Sequence, residues 1–251
     1  MATTIAVSGK GGSGKTTFAA MIIRSLLARA DSRAVLAVDA DPNSCLALTL
    51  GVESAATIAE IREQARAQPP SNAGIDRLRS VEYGIQQAIT EAAGFDLLTM
   101  GRPEGPDCYC AVNNMLRNFL DELSSQYQFV IMDNEAGMEH LSRRTTNNVD
   151  LLCIVAEPTS LGALTAQRIG ELARQLPIAV EQIGVIWNKA ADSKKLNAIE
   201  TFGYVPYDKA VSDASMQGKT IFDLAEDNPA FLTVRKILEH KLNLKSTKSK
   251  A

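Results

Sequence analysis

Residues 3–17 read Thr-Thr-Ile-Ala-Val-Ser-Gly-Lys-Gly-Gly-Ser-Gly-Lys-Thr-Thr, and they decide the fold. Thr3–Ser8 is a short apolar run closed by glycine, the pattern of a buried strand. Thr17–Arg29 is alanine-rich and reads as a helix. Between them, Gly9-Lys10-Gly11-Gly12-Ser13-Gly14-Lys15-Thr16 satisfies G-x-x-x-x-G-K-[ST] in the strand–loop–helix setting that a phosphate-binding loop requires. Glycines let backbone N–H groups turn inward around phosphate oxygens, and the helix N-terminus adds a positive dipole end. Gly11, Gly12, Ser13, Gly14, Lys15, Thr16 and Thr17 are thus expected to hold a nucleotide. Lys15 should reach the β- and γ-phosphates, and the Thr16 hydroxyl should ligate Mg²⁺.

Working outward, the same unit recurs. Ala34–Val38, Phe95–Met100, Phe129–Met132, Leu151–Ala156, Ile183–Trp187 and Tyr204–Val205 are apolar runs, and helical stretches such as Val112–Ser125 alternate with them. Glu53–Ala93 is polar and poorly patterned, with a loop expected at Gln68–Gly74. Strands alternating with helices predict an α/β fold, a P-loop NTPase with a mostly parallel central sheet and helices on both faces. Ligands of such sheets bind at the carboxyl ends of the strands. The chemistry-bearing residues fall there, at 9–16, 39–43, 101–110, 133–140 and 188. One domain over residues 1–251 is expected, ending in a helix with a frayed basic tail over about 233–251.

The 251 residues are 45% hydrophobic and 22% charged, which excludes a disordered chain, a collagen and a disulfide scaffold. Aromatics at 5% and a net charge of −3 argue against a base-stacking nucleic-acid binder. The start, MATTIAVSGKGG, lacks the basic and apolar regions of a signal peptide, and no run of eighteen apolar residues occurs. A cytoplasmic protein with four reduced cysteines, not bound to membrane, is expected.

Carboxylates follow the strands. Asp133, ending QFVIMD, stands where a metal-bridging aspartate belongs, or where a helix cap would. Gly137 could offer its N–H to a γ-phosphate. In Asp39-Ala40-Asp41-Pro42, Asp41 could orient an attacking water and Asp39 could hold the magnesium shell; a turn-forming Asp-Pro is the plainer reading. Lys10 is an extra lysine inside the loop, either a solvated residue or a second positive charge for the transition state. Cys108-Tyr109-Cys110 places two thiols on one face of extended chain. A lone pair supplies half of an S₄ site, which a two-fold dimer would complete; a redox dithiol or two packed small residues are the alternatives. Cys153 in DLLCIVAE reads as strand core and Cys45 as a small packed residue. Glu135, Glu139 and His140 could relay nucleotide state or touch metal in transit, or simply pair with Arg143 and Arg144 on a solvated face.

The loop, with its K-G-G-x-G-K-T lysine, resembles the deviant Walker A ATPases, a class that includes the nitrogenase iron protein, MinD and ParA. Together, GKGGSGKTT, MGRPEGPDCYCAVNNMLR and DNEAGMEHLSRRT are similar to the CooC-type ATPases, from Thr3 to about Leu232. That resemblance implies an ATP-driven homodimer in which Lys10 crosses into the partner's site. It implies that Cys108 and Cys110 of both chains bind nickel or zinc. The client would be carbon monoxide dehydrogenase or acetyl-CoA synthase. It also implies that Asn188, at the end of IGVIWN, reads the purine edge while Pro206, Tyr207 and Asp208 close over the ring; otherwise Asn188 is a turn residue.

Three other readings compete. A positioning ATPase would use the tail, which carries +5 over 235–251 against −8 for the rest, on membrane or DNA. A small-molecule P-loop kinase would share Lys15, Thr16 and Asp133 but needs no Lys10. A cluster-bearing reductase would use widely spaced cysteines.

Overall fold

The computed structural model describes residues 2–29, 34–67, 83–102, 122–135, 148–190 and 199–244. Among the described residues eight strands form one sheet: β1 (Thr3–Gly9), β2 (Val35–Ala40), β3 (Ile89–Ala92), β4 (Phe95–Thr99), β5 (Phe129–Asn134), β6 (Asn148–Ala156), β7 (Ala179–Ala190) and β8 (Thr201–Pro206). Their order is β3-β4-β2-β5-β1-β6-β7-β8, parallel throughout except for β3 against β4. The fold is thus the expected P-loop α/β architecture. All seven apolar runs are strands. β3 is the one that was not anticipated, because ITEA is short, half-exposed and at the sheet edge.

Alternation along the strands divides the core into two layers. Ile5, Val7, Ala37, Ile131, Cys153 and Val155 face one side, and Ala6, Leu36, Val38, Val130, Met132 and Ile154 face the other. Helix α1 (Lys15–Leu27) covers the first side, between the sheet and the chain's last helices. Ten of its thirteen residues are buried, so it is a core helix rather than an amphipathic one. It starts two residues earlier than its alanine pattern suggested, directly from the loop.

Other helices among the described residues include α2 (Leu46–Leu50), α3 (Ile58–Ala67), α4 (Ser160–Gln175), α5 (Lys209–Met216) and α6 (Pro229–Lys241). α4 covers the second side through Ala166, Ile169 and Ala173. α6 begins at Pro229 behind an Asn228 cap, whose side chain accepts from Phe231 N–H at 2.9 Å. The tail beyond Leu244, the expected loop at 68–74 and the stretch 103–121 lie outside the described residues.

One buried cation ties α1 to the end of the chain. The Arg24 guanidinium donates to the carbonyls of Ile221 (2.9 Å) and Leu224 (2.8 Å) and to Glu226 (2.7 Å), and lies 4.2 Å from the Phe231 ring centroid. It thereby fastens the 3-10 turn Ile221–Asp223 and α6 onto the helix that springs from the phosphate loop.

Candidate nucleotide site

The register assembles the site. Val7 pairs with Asp133 on one side of β5, and Asp39 pairs with Asp133 on the other. The loop leaving β1 therefore turns over two carboxylates on adjacent strands, both fully buried. Gly9 turns beneath the β6 end so closely that a Cβ there would lie 2.2 Å from the Val155 carbonyl oxygen. Gly14, at φ +94°, is the cap of α1, and no side chain caps that helix end. Its first N–H groups are left for an anion.

Lys15 is 7% exposed and its charge acts on Asp133. Neither carboxylate oxygen of Asp133 has a hydrogen-bond partner of acceptable geometry. Burial pushes Asp133 up to about 7, and the charges of Asp39 and Asp41 add to this; the nearby Thr16 hydroxyl and Lys15 pull it down. A buried carboxylate with unsatisfied lone pairs beside a threonine hydroxyl suits a hard cation. Among the described residues no three His, Cys, Asp or Glu side chains form a metal cage. A Mg²⁺ ion bound with a nucleotide takes ligands from phosphate and water as well as from carboxylate.

Asp39 behaves differently. Its Oδ2 accepts from Leu46 N–H at 2.9 Å and its Oδ1 from Asp41 N–H at 3.2 Å. Burial nonetheless raises it to about 6. Asp39 thus shapes the turn into α2. Asp41 is half-buried, and its Oδ1 accepts from the Asn43 N–H at 2.9 Å and from its side-chain amide at 2.8 Å, the turn geometry named as the plainer reading. Cys45 is exposed, not packed as its sequence context suggested: it is the N-cap residue before α2, and the burial begins with Leu46 and Ala47. Cys153 is buried in β6, where burial raises its thiol to about 12.

On the α1 side of the loop lies a cleft of about 380 Å³. The loop (Gly12, Gly14, Thr17), Phe18 and Met21, the β7 end (Asn188, Lys189) and 205–208 line it, with α5 closing the far wall. Tyr207 is 61% exposed and Met216, opposite on α5, is 75% exposed. These are apolar surfaces on the lining of a cleft whose volume lies in the range of small-molecule sites. Asp208 lines it, but its carboxylate is committed. Oδ1 accepts from Ala210 N–H (2.8 Å) as the α5 cap, and Oδ2 from the Asn228 amide (2.9 Å).

Asn188 is also engaged, donating to the Ser13 carbonyl at 2.8 Å. The expected Cys108, Cys110, Gly137, Glu139 and His140 lie outside the described residues, while Glu135 lies at the end of β5. Sequence reasoning passed over Arg24 and Asn134. A lone arginine in the apolar run MIIRSLL was a legible signal of a buried partner. Asn134, whose amide donates to the Val7 carbonyl at 3.1 Å, gave no such signal.

A model of the CobQ/CobB/MinD/ParA nucleotide binding domain matches residues 4–221. An uncharacterised ATP-binding protein of Methanocaldococcus jannaschii is 40% identical over 96% of this chain and 99% of its own. The carbon monoxide dehydrogenase accessory protein CooC of Rhodospirillum rubrum is 33% identical over 86% of this chain and 90% of its own. Among solved structures, a ParA family ATPase from Chlorobium tepidum superposes with a TM-score of 0.71 at 19% identity, over 96% of this chain and all of that one. With the phosphate loop, its buried carboxylates and the adjoining cleft in one place, the chain belongs to the CobQ/CobB/MinD/ParA nucleotide-binding-domain family.

Proposed function

We propose that the chain is an ATP-hydrolysing homodimer whose nucleotide state governs delivery of nickel during maturation of carbon monoxide dehydrogenase. The observation that carries this reading is the likeness to the Rhodospirillum rubrum accessory protein along nearly the whole chain. The Cys108-Tyr109-Cys110 pair, which a positioning ATPase leaves unexplained, stands beside it.

In this reading the N–H groups from Gly11 to Thr17 hold the phosphates, and Lys15 neutralises the β- and γ-oxygens. Thr16 and Asp133 would hold Mg²⁺, with Asp39 behind them fixing the turn; such an ion would supply positive charge against the negative charge developing on the phosphates. Asp41, half-buried on the solvent side of that turn, orients the water that attacks the γ-phosphorus. The bond to the bridging oxygen breaks, leaving ADP and phosphate. Gly137 offers its N–H to the γ-phosphate. Lys10 is exposed, so it is free to leave its own loop for the partner's phosphates. ATP draws two subunits together, and four thiolates, Cys108 and Cys110 from each, close on one nickel or zinc ion as cargo. Hydrolysis loosens the pair and releases the ion to the dehydrogenase, or to acetyl-CoA synthase.

The test is nickel titration under reducing conditions with particle mass measured in parallel, in ADP and in ATP. Half an ion per chain on a two-chain particle, lost on Cys108→Ala, is the expected result. A monomer that hydrolyses ATP and binds no nickel overturns it. That outcome favours the positioning reading, to be tried with anionic vesicles and duplex DNA against the basic tail.

A further inference from the structure

Asn188 touches the phosphate loop through its own side chain, and three features of the fold bring it there. First, its Nδ2 donates to the Ser13 carbonyl at 2.8 Å, across 175 residues of sequence. Second, the approach is so close that a Cβ on Gly14 would lie 2.4 Å from that nitrogen. A side chain on the residue before Lys15 would displace that amide, and the φ of +94° there favours glycine in its own right. Third, β7 is irregular at this point. Its pairing with β8 slips between Asn188 and Ala190, and Lys189 is left-handed at φ +56°, an uncommon state for lysine. The Lys189 ammonium is held by Glu157 at 2.8 Å, and the Lys189 N–H donates to Asn188 Oδ1 at 3.0 Å. The bulge aims Asn188, and the Lys189 N–H fixes which end of the carboxamide is oxygen. The nitrogen end is thereby turned to Ser13.

The consequence follows from peptide geometry. The Ser13–Gly14 peptide is trans, so the Ser13 carbonyl and the Gly14 N–H point in opposite directions from one plane. A donor that pins the carbonyl from the base-cleft side turns the Gly14 N–H to the other side, into the cradle. We propose that Asn188 is a positioning residue for the phosphate loop. It orients the Ser13–Gly14 peptide for phosphate, and so couples the base cleft to the phosphate site rather than serving the base alone. This rests on the nucleotide-binding reading above.

A ligand without a base separates the two roles. Calorimetric titration with magnesium tripolyphosphate and with magnesium ATP is run on the wild type, Asn188→Ala and Tyr207→Ala. Asn188→Ala is expected to weaken tripolyphosphate about five- to tenfold, the loss of one ordinary hydrogen bond. Tyr207→Ala, on the base side, is expected to weaken ATP more than tripolyphosphate. Peptide-level hydrogen exchange adds a readout without ligand: the segment 9–17 exchanges faster in Asn188→Ala while the peptides of β6 do not. Should Asn188→Ala unfold, Asn188→Ser, with a donor on a shorter arm, takes its place. Unchanged tripolyphosphate affinity in an Asn188 variant that loses ATP overturns the proposal, leaving a base-reading residue only. A folded wild type that binds neither ligand overturns the nucleotide reading itself.

Discussion

Removing the Arg24 guanidinium tests whether the end of the chain is fastened to the phosphate-loop helix in the way described. Arg24 is 5% exposed, so its contacts are made in a poorly screened setting. Two of its hydrogen bonds are charge-assisted and reach backbone carbonyls, at 2.9 and 2.8 Å. Bonds of this kind are worth about 1.5–3 kcal/mol each, and the desolvated contact with Phe231 about 1–2 kcal/mol more. Glu226 adds little, because its side chain is 77% exposed. Against these stands the cost of burying the charge, which removal gives back in part. Arg24→Ala is therefore expected to lower the unfolding free energy by about 3–5 kcal/mol, with the carbonyls of Ile221 and Leu224 losing their donors. Arg24→Lys keeps the charge but not the fork, and should lose roughly half as much. Urea denaturation of the ligand-free protein, with the slope held common to the variants, gives the numbers. A loss under about 1 kcal/mol for Arg24→Ala, or full retention by Arg24→Lys, would refute the fastening and make the bidentate geometry irrelevant.

Other expectations follow from the same contacts. Lys10→Ala, at an exposed position, leaves the melting temperature within about 2 °C of the wild type but abolishes ATP-driven dimerisation, checked by light scattering. Gly14→Ala adds a Cβ 2.4 Å from the Asn188 amide at a positive φ, and lowers ATP affinity at least about tenfold by calorimetry. Asp133→Asn loses ATP hydrolysis yet stabilises the metal-free fold by about 1–3 kcal/mol in EDTA at pH 8. The folded carboxyl is raised to about 7 from its ordinary value, so the cost of its charge is present at pH 8, shrinks as pH falls from about 7 to 4, and is absent below that. Equal stability of the two proteins at pH 8 would show that Asp133 carries no such cost.

Much of this was legible because glycine, lysine and apolar alternation act locally. The strand–loop–helix reading of 3–29 needs no partner from elsewhere, and each parallel strand announces itself as a run buried on both faces. The site was legible only where strand ends bring residues together by rule. Asp39 and Asp133 meet because both close central strands, and that much follows from parallel order. Their different states do not follow, because the N–H groups that satisfy Asp39 belong to a turn whose geometry depends on Asp41, Pro42 and Asn43 together. Asn188 and Ser13 were each visible, but not their bond, which depends on a bulge and a left-handed lysine that alternation does not encode. The exposure of Cys45 was misjudged for the same reason.

The distribution of unsatisfied groups says where the fold carries its cost. Among the described residues, six buried side-chain oxygens lack a partner: those of Ser8, Ser13 and Ser25, both of Asp133, and one of Asn134. All but the Ser25 hydroxyl lie at the carboxyl ends of β1 and β5 or in the loop between β1 and α1. Each such group costs stability unless something meets it, and native interiors hold few of them. Elsewhere the same chain pays attention to much smaller debts: Asp208, Asn228 and Thr220 cap the ends of short helices, and Arg24 saturates two stray carbonyls. A fold that satisfies a 3-10 turn at its periphery but leaves a carboxylate bare at its centre is organised around what binds there. A divalent cation would meet the two Asp133 oxygens and phosphate the loop beside them, so the site should be stiffer and the protein more stable with both than with either alone.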